Sequence, residues 1–174
     1  MGARNPDAVR VWADGFIYYS LLATRPALPT DIDTALGVTW LSVGLLDGDD
    51  GIAQKRDIDS KPFFAWGAGQ VAESNKNPQV TGSFSPLQDD ADVNALVNPG
   101  MTSSKVPMPR PIYAWLAFQT SSQFAYKERR FTTRKAKIWT PEDNRNESDI
   151  TKWKIEFTLF ADGNGDMFDR QVAA

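Results

Sequence analysis

Carboxylates are the groups in this 174-residue chain best equipped for chemistry, because it holds neither histidine nor cysteine. That removes the usual general base, the Ser-His-Asp triad, most zinc sites, thiolate ligands and disulfides. Asp162-x-Asn164-x-Asp166 copies the first half of a calcium loop. The match then fails, with Met167 in place of the required glycine and Ala173 in place of the bidentate glutamate. A tight turn is the better reading. Asp47-Gly48-Asp49-Asp50-Gly51 also gathers acids that would suit calcium, and is read as a solvated turn. Paired carboxylates suit glycoside hydrolysis, but such enzymes set their acids on separate strands across a cleft. Here they crowd into turns and a helix start. No catalytic residue, metal ligand or cofactor is therefore assigned, and the chain is read as a non-enzyme.

Three further sets bear on binding. Gly67 and Gly69 lack the rest of a phosphate-binding fingerprint and are read as allowing a bend or close packing in a strand. Trp12, Trp40, Trp66, Trp115, Trp139 and Trp153 are read as core or interface residues, with stacking on sugars or bases as the competing use. Lys127, Arg129, Arg130, Arg134, Lys135 and Lys137 form a basic segment. A net charge of −3 argues against tight reading of nucleic acid. The basic segment then has two readings: solvated strand faces, or an inter-subunit face that meets acids of another copy.

The elements that must position these residues are mostly strands. Residues 1–14 are expected to be an amino-terminal arm, and 15–174 one domain. Met1 to Asp7 lack the pattern of a secretory signal, and no apolar run approaches the ~20 residues of a membrane span. Phe16 to Leu22 reads as a strand buried on both faces, and Val38 to Leu46 as a second. Between Asp47 and Lys61 lies a polar stretch without apolar period, expected to be a long exposed loop or a splayed hairpin. Its charged and polar members are Asp47, Asp49, Asp50, Gln54, Lys55, Arg56, Asp57, Asp59 and Lys61. A third strand is expected over Phe63–Val71, a turn at Asn75–Pro78 and a fourth strand over Val80–Phe84. Ser85, Pro86 and Gln88 read as a capping box opening one helix over about 86–97. Strands are expected over Ile112–Thr120 and Phe124–Arg130 around a Ser121-Ser122 turn, then over Phe131–Trp139. Pro141 to Asp149 reads as a polar connector. Trp153, Ile155, Phe157 and Leu159 alternate with Lys152, Lys154, Glu156 and Thr158, the clearest two-residue period. Asp162 to Gly165 ends that strand and leaves a short tail. Many short strands with one helix predict a mainly β sandwich or barrel.

An ordered set of features in the first half resembles the major tail protein, the tail tube subunit, of long-tailed, siphovirus-type bacteriophages of actinobacteria. It comprises Tyr18-Tyr19, Pro29-Thr30-Asp31, Thr34-Ala35-Leu36, Trp40, Gly44 and the Asp47-Gly48 turn. Asp57-Ile58, Trp66-Gly67-Ala68-Gly69 and the passage Val80 to Val97 continue it. The resemblance covers about residues 16 to 100; the second half agrees only as hairpins ending in an alternating strand. The arm before Phe16 is longer than the family's, and Ala23-Thr24-Arg25 replaces a small residue and glycine.

The resemblance implies a β-barrel or sandwich with a flanking helix. It implies rings, hexameric in that family, stacked as a tube around a tape-measure protein, with a tail terminator and tail-tip proteins at the ends. DNA passes through without sequence-specific binding, and no membrane is involved. The subunit would be made in the bacterial cytoplasm and end in the virion. It also places the contact with the neighbouring ring at about Asp47 to Lys61, and gives Met1 to Asp14 and the end after Asp162 to adjacent subunits. Rival readings are a tail terminator or the inner tube of a contractile injection device, and, from another class, a carbohydrate-binding β-sandwich module. A carboxylate hydrolase ranks last.

Overall fold

The computed structural model describes residues 11–123, 125–143 and 152–173. The polar connector at Pro141–Asp149 and all but the last four residues of the expected arm lie largely outside them. The chain is mainly β: nine strands among the described residues form one open antiparallel sheet, with one short helix. The strands are β1 (Trp12–Ser20), β2 (Leu41–Ser42), β3 (Ala53–Ala65), β4 (Gly69–Phe84), β5 (Ile112–Ser122), β6 (Lys127–Thr132), β7 (Ala136–Trp139), β8 (Ile155–Leu159) and β9 (Phe168–Ala173). Helix α1 spans Ala91–Val97.

The sheet forks at β5. Along one edge, β5 pairs with β1 from Trp115 to Ser122. Its other edge serves two strands, pairing with β7 from Ile112 to Ala114 and with β6 from Ala117 to Ser121. Beyond that point β6 continues to β9, and β7 continues through β8 to β4 and β3. At the fork, Trp115 and Leu116 of β5 span the stretch that Thr132 to Lys135 cover on the partner side. The expected single strand from Phe131 to Trp139 is therefore two strands. The irregularity interrupts the ladder opposite Leu116, whose buried N–H is instead satisfied by the Thr132 hydroxyl at 3.0 Å.

The two arms of the fork pack on each other through aromatics. Phe118 on β5 lies 5.3 Å from Phe157 on β8, and 6.0 Å from Phe168 on β9, ring centre to ring centre. Phe84 closes the group at 6.0 Å from Phe157. Ile17, Tyr19, Leu116, Ile155 and the α1 residues Val93 and Leu96 complete this core. A second, smaller cluster occupies the opposite face of β1, β5 and β6, where Trp40 lies 5.5 Å from Phe131 with Leu28 and Leu36 against it. Strand β1 is thus buried on both faces at Ile17–Tyr19, although Phe16, Leu21 and Leu22 are partly exposed.

β8 realises the alternation read from the sequence: Trp153, Ile155, Phe157 and Leu159 are buried, while Lys152, Lys154 and Glu156 are exposed. Other expectations need correction. β1 begins at Trp12, so the last residues assigned to the arm are strand. Val38 to Leu46 yields only the two-residue β2, because the rest of it runs as a loop that ties back through the Leu46–Pro86 bridge. The capping box does not form. Asp90 caps α1 by accepting the Val93 N–H. Ser85 instead donates to Asp50, and Gln88 accepts the Leu45 N–H. That last bond needs Gly44, whose φ of +74° suits glycine and whose missing Cβ leaves the space Gln88 fills. The short tail after Asp162 is β9, paired along its length with β6.

Replacing Thr132 with valine keeps the shape and removes the acceptor at the fork. Thr132→Val should lower stability by about 1–3 kcal/mol, the effect of stranding a buried N–H. The check is the midpoint of urea unfolding at unchanged slope.

Candidate assembly surfaces

Of the two readings of residues 47–61, an exposed loop or a splayed hairpin, residues 53–84 correct the loop and form a hairpin far longer than the segment expected. Asp47–Gly51 is a turn, but from Ala53 the chain is a strand of a long hairpin, β3–β4, whose tip is Trp66-Gly67-Ala68. Asn75 to Pro78, expected to turn the chain, lie inside β4 at a bulge: the pairing slips between Asp57↔Gln79 and Asp59↔Lys76, and Asn77 has φ 52°. Proline is tolerated there because a bulge needs no ladder N–H. Only the base of the hairpin joins the sheet, through Val80–Phe84 against β8. Gly82 permits that junction, since a Cβ there would overlap the Ala53 carbonyl and the Phe157 ring.

Beyond the base the ribbon is exposed on both faces. Phe63, Phe64 and Val71 are 46%, 71% and 58% exposed, and Trp66 is fully so. Trp66, expected in the core, is thus the outermost aromatic, while Trp40 and Trp153 are the buried ones. The ribbon's polar side chains mostly bond one another. Lys55 pairs with Asp57 at 3.3 Å, Asn77 donates to Asp59 at 3.1 Å, and Ser60 donates to Glu73. Lys61 sits over the Phe63 ring at 5.7 Å, and Arg56 is exposed.

The acids before the ribbon hold its root. Lys152 bridges Asp47 at 2.7 Å and Asp50 at 3.2 Å, and the Ser85 hydroxyl donates to Asp50 at 2.6 Å. The Lys152 hydrogen bond is the main cause holding the Asp47 carboxyl below the usual carboxylate range. For Asp50 the Ser85 hydroxyl is first and Lys152 second. The same two acids push the Lys152 amine up. Asp49 is exposed, its N–H donated to Asp47. Gln54 faces a cavity of about 600 Å³ between the root and β1.

The basic segment does not form one face. Arg129 is buried, donating to Gln119 at 2.9 and 2.7 Å and to the Thr34 carbonyl at 3.0 Å. Burial pushes its guanidinium down, partly offset by Asp31 and Asp33. Arg130 and Arg170 both donate to the buried Glu128, at 2.5 and 2.8 Å. Lys127 pairs with Asp33 at 3.0 Å, and Arg134 donates to the Ala161 carbonyl at 3.3 Å. Lys135 is half-buried and Lys137 exposed, past the fork on β7's side. Arg129 and Lys127 therefore fasten the Pro29–Thr34 loop to β6, a role that a run of like charges does not reveal. Gln171 of β9 adds a hydrogen bond to the Pro29 carbonyl at 2.7 Å.

Among the described residues no group of acids is placed to hold a metal ion. The Asp162–Asp166 segment is a turn in which Asp162 accepts the N–H groups of Asn164 and Asp166. Its far side is fixed to β6's end by Thr133, which donates to the Met167 and Asp166 carbonyls. No family model and no curated protein matches the chain.

Burial raises the Glu128 carboxyl, but the hydrogen bonds and charges of Arg130 and Arg170 outweigh it and hold it low. Asp47, Asp50 and Glu128 therefore contribute stability that is complete above the ordinary carboxylate range and lost as pH falls through their depressed values. Unfolding midpoints should stay level from about pH 5 to 8 and fall below about pH 4. Glu128→Gln should lower stability at neutral pH by about 1–3 kcal/mol and flatten the acid limb, as read by urea titrations across pH.

Proposed function

We propose that this chain is a structural subunit, a tail tube protein of a long-tailed phage, that assembles into stacked rings and catalyses nothing. In this reading the forked sheet is the tail-tube type of sandwich or barrel, six copies close a ring, and the rings enclose a tape-measure protein and later DNA. The observation that carries it is the β3–β4 ribbon. An isolated two-stranded hairpin is at best marginally stable in water, and one bearing exposed Phe64 and Trp66 is built to be covered. Covering it from within the chain is not what the described residues do, which favours another copy or a partner.

Two further features support self-association. β3 offers a 13-residue outer edge, and long open edges in β proteins need pairing or protection. The chain's acidity suits a conduit that DNA must slide through rather than bind. A tail terminator or a contractile-device inner tube would use the same surfaces. The carbohydrate-binding reading relies on exposed tryptophans, and Trp12, Trp66 and Trp139 sit on three separate elements.

Electron microscopy of concentrated protein should show rings or tubes. Asp59 and Lys76 are paired across the ribbon, so residues 60–75 can be replaced by Asn-Gly, a turn suited to closing a hairpin. This truncation should leave the unfolding free energy within about 0.5 kcal/mol, as for surface changes, and abolish ring stacking. Tubes of normal length from the truncated protein would sink the ribbon's assignment. Strictly monomeric wild-type protein whose fluorescence shifts with glycans would replace the tube reading altogether.

A further inference from the structure

The molecule has an uncovered apolar projection at one end of its hairpin and an apolar cavity at the other. We propose that the β3–β4 tip of one copy seats in the root cavity of a second copy, head to tail. The proposal rests on the self-assembly reading above and names its contact.

The two surfaces match in chemistry. The cavity of about 600 Å³ is lined by Trp12, Phe16, Ile52 and Phe118, with Asp14, Asp47 and the Glu128–Arg130 pair on its polar side. That size falls within the ~300–1,000 Å³ range of pockets that enclose compact, mostly apolar ligands, comparable with the rings of Phe64 and Trp66. Glycines keep its wall low: at Gly48 an added Cβ would meet nothing within 4 Å. Lys61 is the cation nearest the tip on β3, and Asp14 is an exposed acid at the cavity. Asp47 is already engaged by Lys152, so Asp14 is the complement to Lys61.

Charge also selects a second copy over a lipid surface. Between Asp57 and Lys76 the ribbon carries Asp57, Asp59 and Glu73 against Lys61 and Lys76. A near-neutral ribbon with a slight acidic excess gains nothing from anionic headgroups, which reward clustered basic residues.

The contact has geometric and energetic consequences. Tip and cavity are different surfaces, so a single joint is heterologous and leaves a free tip and a free cavity that repeat the contact around a ring or along a filament; two copies that exchange tips reciprocally would instead close as a two-fold pair. Ile52 lies at the cavity and Trp66 at the tip; at ~3.3 Å per strand residue, successive copies repeat every ~46 Å along the ribbon. The tip aromatics supply about 500 Å² on one side, at ~150–250 Å² each. That is below the ~800 Å² per partner of a stable pair. One joint is therefore weak alone and holds when several act together, as they do between rings.

The absence of native cysteine makes the test direct. Ala68, exposed at the tip beside the aromatics, can carry the thiol without removing them: Ala68→Cys and Gly48→Cys proteins, mixed under mild oxidation, should form a disulfide-linked pair. Its yield should exceed by about tenfold that of Ala68→Cys mixed with Gly163→Cys, because docking raises the local thiol concentration; Gly163 is an equally open control. A chain carrying both Ala68→Cys and Gly48→Cys should give a ladder of covalent oligomers. Lys61→Glu should reduce the cross-link and Asp14→Lys in the other partner restore it. Equal yields at positions 48 and 163 would overturn the contact. So would loss of wild-type pelleting with phosphatidylcholine–phosphatidylserine vesicles in Phe64→Ser/Trp66→Ser, if wild type pellets and the cross-link shows no preference for position 48; the tip would then be a lipid anchor. The two readings fail separately. Wild-type tubes with no preferred cross-link leave the tube reading standing without this joint, whereas a preferred cross-link without rings or tubes keeps the joint and removes the tube.

Discussion

One hydrogen bond marks the constraint on which the architecture depends: the Leu116 N–H donated to the Thr132 hydroxyl. A regular ladder along that edge of β5 would place β6 and β7 in one continuous strand and one flat sheet. Extra residues at Thr132–Lys135 break the ladder instead, and the threonine satisfies the donor left behind. The two arms can then diverge and fold toward each other, bringing Phe118 against Phe157 and Phe168. The irregularity creates the inter-arm core, and the hydroxyl removes the penalty of an unpaired buried N–H.

That arrangement decides what is left for the surface. Near the fork, β1, β5 and β6 are covered on both sides, by the main core and by the Trp40–Phe131 cluster, while β9 keeps an exposed face. The other arm ends in β3 and β4, which outrun β8: only Val80–Phe84 of β4 have a partner there. The remaining ribbon has a full backbone ladder between its own strands but no buried face. Its root is held by the Lys152, Asp47, Asp50 and Ser85 cluster and by the close packing that Gly82 allows. A firmly held root with an uncovered tip suits a lever that works on something outside the chain.

How much of this was legible in the sequence follows from where burial imposes a period. β8 was fully legible because one face is core and the other solvent, so Trp153 to Leu159 alternate strictly. The ribbon was legible as polarity that left a loop and a splayed hairpin both open: with both faces exposed, no selection for alternation acts on Gln54 to Lys61 to tell a strand from a loop. Trp66 misled because tryptophan is usually covered; it is uncovered here within one chain. Ser85 and Gln88 satisfied a local capping rule, but tertiary partners at Asp50 and Leu45 took their hydrogen-bonding groups and the cap moved to Asp90. The basic run was misleading in a different way. Arg129 and Arg130 are neighbours in sequence, but strand alternation sends them to opposite faces, one to the Thr34 carbonyl and one to Glu128.

The same alternation bears on what assembly can use. Lys127 and Arg129 are committed to the Pro29–Thr34 loop, and Arg130 and Arg170 to Glu128. Charges already paired within the fold have little left to offer a neighbour, and exchanging one partner for another gains little net energy. Among the candidate groups, the exposed Arg56 and Lys137 are the less encumbered, since the ribbon's other charges mostly pair with one another. In the proposed assembly, specific association would come from apolar area, with charge setting orientation. On this chain the uncovered aromatics of the described hairpin concentrate at Phe63, Phe64 and Trp66, so the tip rather than the basic segment has the means to drive assembly.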